Sequence, residues 1–363
     1  MDPKHLNIMF SPKYAVPVFG YVIPPLALVI LLMNGAMVWT LCKRNMRSPV
    51  NSLLISIAIS DTLAICLPTA PFIYFYTMGH YKEYIPFTWC RVFFNLVHVF
   101  PLFCNMASLW STVALAGFRC YSVWRPLHVK ATITNFRTNI CIVLIYILAF
   151  VVYCPVMFEY TYTLVTTPSK MDGNATTRAC TMKRNESYNN EHFTSIHTWV
   201  QIVFTSLLPW LLIAFPDFGL LWKLKKADAE INGATEKPML FRNKQVSRRR
   251  MMTWMIFLVV SMVWMVEIPF AVSFAKYMAN SNGDVMSNRL GNQVIFICLL
   301  KYVTYPAILV IYCFMSEKFR KEFIAVFICK KDANVPKATP NVSRRRTTSN
   351  TQSSGYSKND PSA

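Results

Sequence analysis

Seven mostly apolar runs, separated by short polar segments, follow one another along the 363-residue chain. They cover roughly Val16–Leu41, Leu53–Tyr76, Val92–Phe118, Ile140–Phe158, Trp199–Trp222, Met251–Phe274 and Val294–Phe314. A helix crossing a bilayer needs about 20 such residues. Between Val92 and Ala116 there is no charged residue at all. A large soluble core would instead show short apolar runs broken by turns. The pattern therefore predicts an all-α membrane protein, a seven-transmembrane helix bundle. Beyond the seventh run, SEKFRKEFIAVFICKK sets Phe319, Phe323, Ile324 and Phe327 at helical spacing among Lys and Arg. This is the pattern of a short amphipathic eighth helix lying on the inner membrane face. The expected division is an extracellular segment over 1–15, the spanning domain with its eighth helix over 16–330, and a tail over 331–363. The tail is rich in Ser, Thr, Asn and Pro, hence disordered.

Composition supports this reading. The chain is 54% hydrophobic and 15% charged, against about a quarter charged for an ordinary soluble domain. Its net charge of +20 would point to nucleic acid in a soluble chain, but here its placement accounts for it. With the N-terminus outside, 26 of the 37 Lys and Arg fall in inner loops and the tail, as the positive-inside bias requires. These residues would lie against anionic inner-leaflet lipid, and no nucleic-acid partner is expected. The first fifteen residues lack a cleavable signal pattern, so the first span is expected to act as a signal anchor in the plasma membrane.

Two sequons, at Asn174 and Asn185, fall in the long loop after span four, on the side expected to be outside. Of the eleven cysteines, only Cys90 and Cys180 lie at the outer surface, where disulfides persist, and these two are expected to pair. Cys329, at the end of the eighth helix, is a candidate for palmitoylation.

Short motifs then narrow the class. Asn34-Gly35 in span one, NSLLISIAISD ending on Asp61 in span two, and Arg119 ending span three come first. Pro209, VEIPF with Pro269, and TYPAILVIY with Tyr305 and Pro306 follow in spans five to seven. Over residues 16–330 this order resembles the rhodopsin-like G-protein-coupled receptors. Pro101, Cys104, Ser108-Leu109-Trp110, Glu267-Ile268-Pro269 and IYC.MS..FR..F resemble more closely the invertebrate sex-peptide/myoinhibitory-peptide and myosuppressin/FMRFamide receptors.

The resemblance implies a receptor that couples an extracellular amidated peptide to a heterotrimeric G-protein, of the inhibitory class by family analogy. Receptor kinases and arrestin would act on the tail. Arg119 would reach into the cytoplasmic cavity that receives the G-protein, with Arg125, Arg248 and Arg249 around it. Family members usually place an acid or amide before this arginine and tyrosine after it; here the neighbours are Phe118 and Cys120. A weakly latched resting state is the expected consequence.

Charge inside a bilayer is costly unless it faces the bundle interior and finds a partner, which singles out Asp61, Glu267 and Lys301. By resemblance Asp61 is the aspartate that binds sodium at rest, with Asn105 and Ser108 as its companions on one face of span three. Lys301, five residues before Pro306, is expected to substitute for sodium by pairing with Asp61 or Glu267. Glu267 has a second reading, as the acceptor for the arginine of an Arg-Phe-amide peptide. The residues leave these open. The opsin lysine sits two residues nearer the N-terminus relative to the proline, about 200° around the helix, so a retinal-binding role is not expected. Glu159, Trp199 and Tyr302 complete the candidate ligand contacts.

No cofactor or metal is expected. His98 is the one histidine clearly inside a span, and no nucleophile–base spacing marks an enzyme. A seven-span chemoreceptor for a small molecule is the alternative function.

Overall fold

The computed structural model describes residues 12–125, 127–169, 175–185, 191–216, 219, 261, 264–269, 271–273, 288–306, 310 and 317–327. Five helices among them are long and apolar enough to cross a membrane: α1 (Pro12–Cys42), α2 (Pro49–Thr77), α3 (Phe87–Ser122), α4 (Asn135–Phe158) and α5 (Ser195–Pro216). Shorter apolar helices follow as α6 (Trp264–Ser273) and α7 (Asn292–Thr304), then α8 (Glu317–Phe327).

The helices outrun the apolar stretches because capped polar residues extend them. Ser48 accepts a hydrogen bond from the Asn51 backbone N–H at 3.2 Å at the start of α2. Thr134 does the same for Arg137 at 3.4 Å ahead of α4. Such caps satisfy donors that a helix start leaves orphaned.

A core of α1, α2, α3 and α7 packs around Ile23, Ala27, Ile65, Phe72, Cys104 and Tyr302. Phe19 stacks on Phe72 with ring centroids 4.4 Å apart. Beside it α1 and α2 meet at Gly20, where a Cβ would stand 3.1 Å from Tyr76 Cβ and 3.2 Å from its backbone carbonyl carbon. The close approach needs glycine there. Thr77 Oγ1 donates to the Gly20 carbonyl at 2.6 Å across the same contact.

The helix-only expectation misses one element. Tyr160–Pro168 and Thr176–Arg184 form an antiparallel hairpin, β1 and β2, with Leu164 opposite Cys180. Cys180 is disulfide-bonded to Cys90 at the start of α3, their Cα atoms 6.3 Å apart. The Cys180 N–H also donates to the Ile85 carbonyl at 3.2 Å, and Pro86 bridges to Ala179. The hairpin is thus tied to α3 through β2.

At the other end, Phe319 of α8 is buried with Met37, Leu41, Met46, Leu54 and Ala58 of the α1–α2 region. Lys43 Nζ and Glu322 Oε2 pair 3.2 Å apart at the rim.

Candidate functional site

Four helices bring their polar side chains together inside the bundle. On α2, Asp61 is 4% exposed and its carboxylate accepts a hydrogen bond from Ser108 of α3. On α6, Glu267 is 8% exposed, two residues before Pro269. On α7, Lys301 places Nζ 2.5 Å from Glu267 Oε1. Asp61 lies within electrostatic reach of both Lys301 and Glu267. One turn beyond Lys301, in the turn that ends α7, Tyr305 donates its hydroxyl hydrogen to Asn105 Oδ1 of α3 at 2.5 Å. Tyr302 and Tyr305 are both buried, their rings edge to face at 5.6 Å.

Burying two ions costs several kcal/mol each, and close geometry with further hydrogen bonds is what repays it. Here the ammonium contacts Glu267 directly and exerts a longer-range attraction on Asp61. The sequence left the partner of Lys301 open between Asp61 and Glu267, and the direct contact is with Glu267. That occupies the carboxylate proposed above as an acceptor for a ligand arginine. It also bears on sodium. The ammonium already stands beside the acids that would attract a mobile cation, and its charge opposes a second one. The residues present do not suit a sodium ion, and no step is assigned to one.

The remaining candidates are less concentrated. Trp199 is 61% exposed. It lies two residues, and so about 200°, around α5 from His197, whose Nε2 pairs with the Val152 carbonyl of α4 at 3.1 Å. Trp199 therefore stands outside the buried cluster. Glu159 is half-buried at the foot of β1, its carbonyl accepting the Asn185 N–H at 2.9 Å. The Asn185 side-chain amide donates to the Phe158 carbonyl at 3.4 Å. Arg119 is half-buried near the C-terminal end of α3, and Arg125 is exposed just beyond it. Arg248, Arg249, Asn174 and Cys329 lie outside the described residues.

Several polar ties were not anticipated. Trp110 Nε1 donates to the Phe204 carbonyl of α5 at 2.9 Å. In α5 the Leu208 N–H reaches back to the Val203 carbonyl; the same spacing would pair Phe204 with Pro209, which has no N–H to give. That carbonyl is left for Trp110. Pro209 is the legible signal for this contact. Ser60 and the Tyr146 hydroxyl pair at 2.6 Å, joining α2 to α4. Under the hairpin, Tyr162 packs at 6.4 Å from Phe94. Burial pushes its phenol up to about 12 against the pull of the Arg91 guanidinium, so it stays neutral.

Comparison with known proteins places this architecture. Residues 21–330 match the family described as serpentine type 7TM GPCR chemoreceptor Srw. The chain belongs to that receptor family. The receptor is similar to the sex peptide receptor of Drosophila melanogaster, at 28% identity over 357 residues, which span 93% of this chain and 80% of that protein. It is also similar to sex peptide receptor-related protein 2 of Caenorhabditis elegans, at 26% identity over 85% of this chain and 71% of that one. The FMRFamide receptor of Drosophila melanogaster is 24% identical over 80% of this chain and 50% of its own length. With its family and its apolar helices, the receptor is a multi-pass membrane protein of the plasma membrane, and its kind is a receptor rather than an enzyme.

Proposed function

We propose that the receptor binds an extracellular peptide, amidated and FMRFamide-like or myoinhibitory-like, and transmits that binding to a heterotrimeric G-protein. The reading takes seven spans with the N-terminus outside, the hairpin and its disulfide over the outer mouth, and Arg119 toward the cytoplasm. The observation that carries it is the likeness to the sex peptide receptor over 93% of the chain. That extent reaches both the outer hairpin and the inner arginine.

The mechanism is a population shift. The peptide prefers an arrangement in which α6 has swung about Pro269, and the G-protein prefers the same arrangement from inside, so each raises the affinity of the other. Glu159 and Tyr302 are the nearest candidates for ligand contact. The tail would serve kinases and arrestin, Cys329 would take a lipid, and Asn174 and Asn185 would take glycans.

A panel of amidated peptides applied to cells expressing the chain, read by G-protein activation, tests the proposal. Activation by at least one peptide at submicromolar concentration is expected. The family description as a chemoreceptor favours a second reading, a receptor for a small molecule. Activation by volatile or metabolite ligands, with silence toward every peptide, would select that one.

A further inference from the structure

The buried ion pair joins the helix proposed to move to a helix beside it. Glu267 is on α6, two residues ahead of Pro269, and Lys301 is on α7, with 2.5 Å between their charged atoms. Both lie in the interior, Glu267 8% exposed and the Lys301 side chain 13%. In an apolar interior, separating opposite charges leaves each one uncompensated, a far larger penalty than at a wet surface. Swinging α6 about Pro269 draws Glu267 along its arc while Lys301 stays with α7. On α7 the Tyr305–Asn105 hydrogen bond one turn away fastens the helix to α3, and Asp61 attracts the ammonium from the α2 side. The strain of motion is thereby concentrated on the Lys301–Glu267 contact.

We infer that the Lys301–Glu267 pair is the latch of the resting receptor, and that activation breaks it. The inference rests on the receptor reading given above. When α6 leaves, the ammonium has a second acid, Asp61, to turn to. This makes the device a two-position switch: one cation tethered to α7 passes from the α6 carboxylate to the α2 carboxylate. The charge moves with its own side chain, so no ion need enter or leave.

The test compares ligand-free G-protein activation in cells carrying tagged receptors at matched surface amounts. Glu267→Gln and Lys301→Met are each expected to raise ligand-free signalling severalfold. The exchanged pair Glu267→Lys with Lys301→Glu is expected to return it toward the original level. Should a single variant fail to reach the surface, the neutral double Glu267→Gln with Lys301→Met leaves no lone charge in the interior and carries the same expectation of a raised baseline. An unchanged baseline in surface-expressed variants overturns the latch, as does an exchanged pair no quieter than the single variants. The unaltered receptor is challenged in parallel with the amidated peptide panel. A peptide response with unmoved baselines condemns the latch alone. Silence of every chain under every condition condemns the receptor reading on which it stands.

Discussion

Tyr305 gives its hydroxyl hydrogen to Asn105 Oδ1 across 2.5 Å, tying α7 to α3 beneath the charged cluster. Tyr305 is buried and Asn105 half-buried, so neither readily finds a replacement partner when the other is removed. Tyr305→Phe leaves the Asn105 oxygen wanting a donor and is expected to cost about 1–3 kcal/mol, seen as a lower melting temperature of the purified receptor. Asn105→Leu added to Tyr305→Phe should cost little more than the first change, because both act on one bond. Additive losses would show that the two side chains work separately.

Sodium is the second prediction. With Lys301 beside Glu267 and Asp61, replacing external sodium by N-methylglucamine should leave agonist potency unchanged. Lys301→Asn removes the tethered charge and exposes two acids to solvent ions, so sodium dependence should appear in that variant. A sodium-sensitive unaltered receptor would contradict the account.

Phe118 offers the third. An aspartate there would give Arg119 a carboxylate on the preceding residue, adding a resting ion pair at the C-terminal end of α3. Ligand-free signalling of Phe118→Asp should fall below that of the unaltered chain. An unmoved baseline would refute a role for that position in holding the resting state.

The hairpin supplies the fourth. Cys90→Ser removes the covalent tie between α3 and β2, which typically contributes about 2–4 kcal/mol. The backbone bond from Cys180 to Ile85 remains but is weaker alone. Surface expression should drop, and Cys180→Ser should match it, with the double variant no worse than either.

Gly20 is the fifth. A methyl group there meets Tyr76 at 3.1 Å and its backbone at 3.2 Å, and the backbone yields little. Gly20→Ala should destabilise by about 1–3 kcal/mol, as overpacking does. Gly35→Ala, with nothing within 4 Å of the added carbon, serves as the tolerated control.

Much of this architecture could be read from residue order alone. Runs such as Leu53–Tyr76 gave their helices because length and apolarity are local properties. Their ends were harder: Ser48 and Thr134 extend α2 and α4 through hydrogen bonds that hydropathy does not register. The pairing of Cys90 with Cys180 followed from compartment. The hairpin did not, although TYTLVTT is rich in β-branched residues, because strand pairing depends on a partner ten to twenty-two residues away. In the candidate site, the three charged residues declared themselves by their cost in lipid. Which two would touch was settled by helix rotation, a tertiary property that spacing within one span does not convey. Trp199 shows the same limit: its residue type suggests a ligand contact, but its exposed azimuth on α5 could not be read from spacing.

The seating of Phe319 among Met37, Leu41 and Leu54, with Lys43 and Glu322 closing the rim, has a mechanical corollary. It makes α1, α2 and α8 one stationary wall. On the mechanism proposed above, the cleft would then widen from a single side, like a door hung on a fixed jamb, and a fluorophore on α8 would serve as the reference point against which the travel of α6 is gauged.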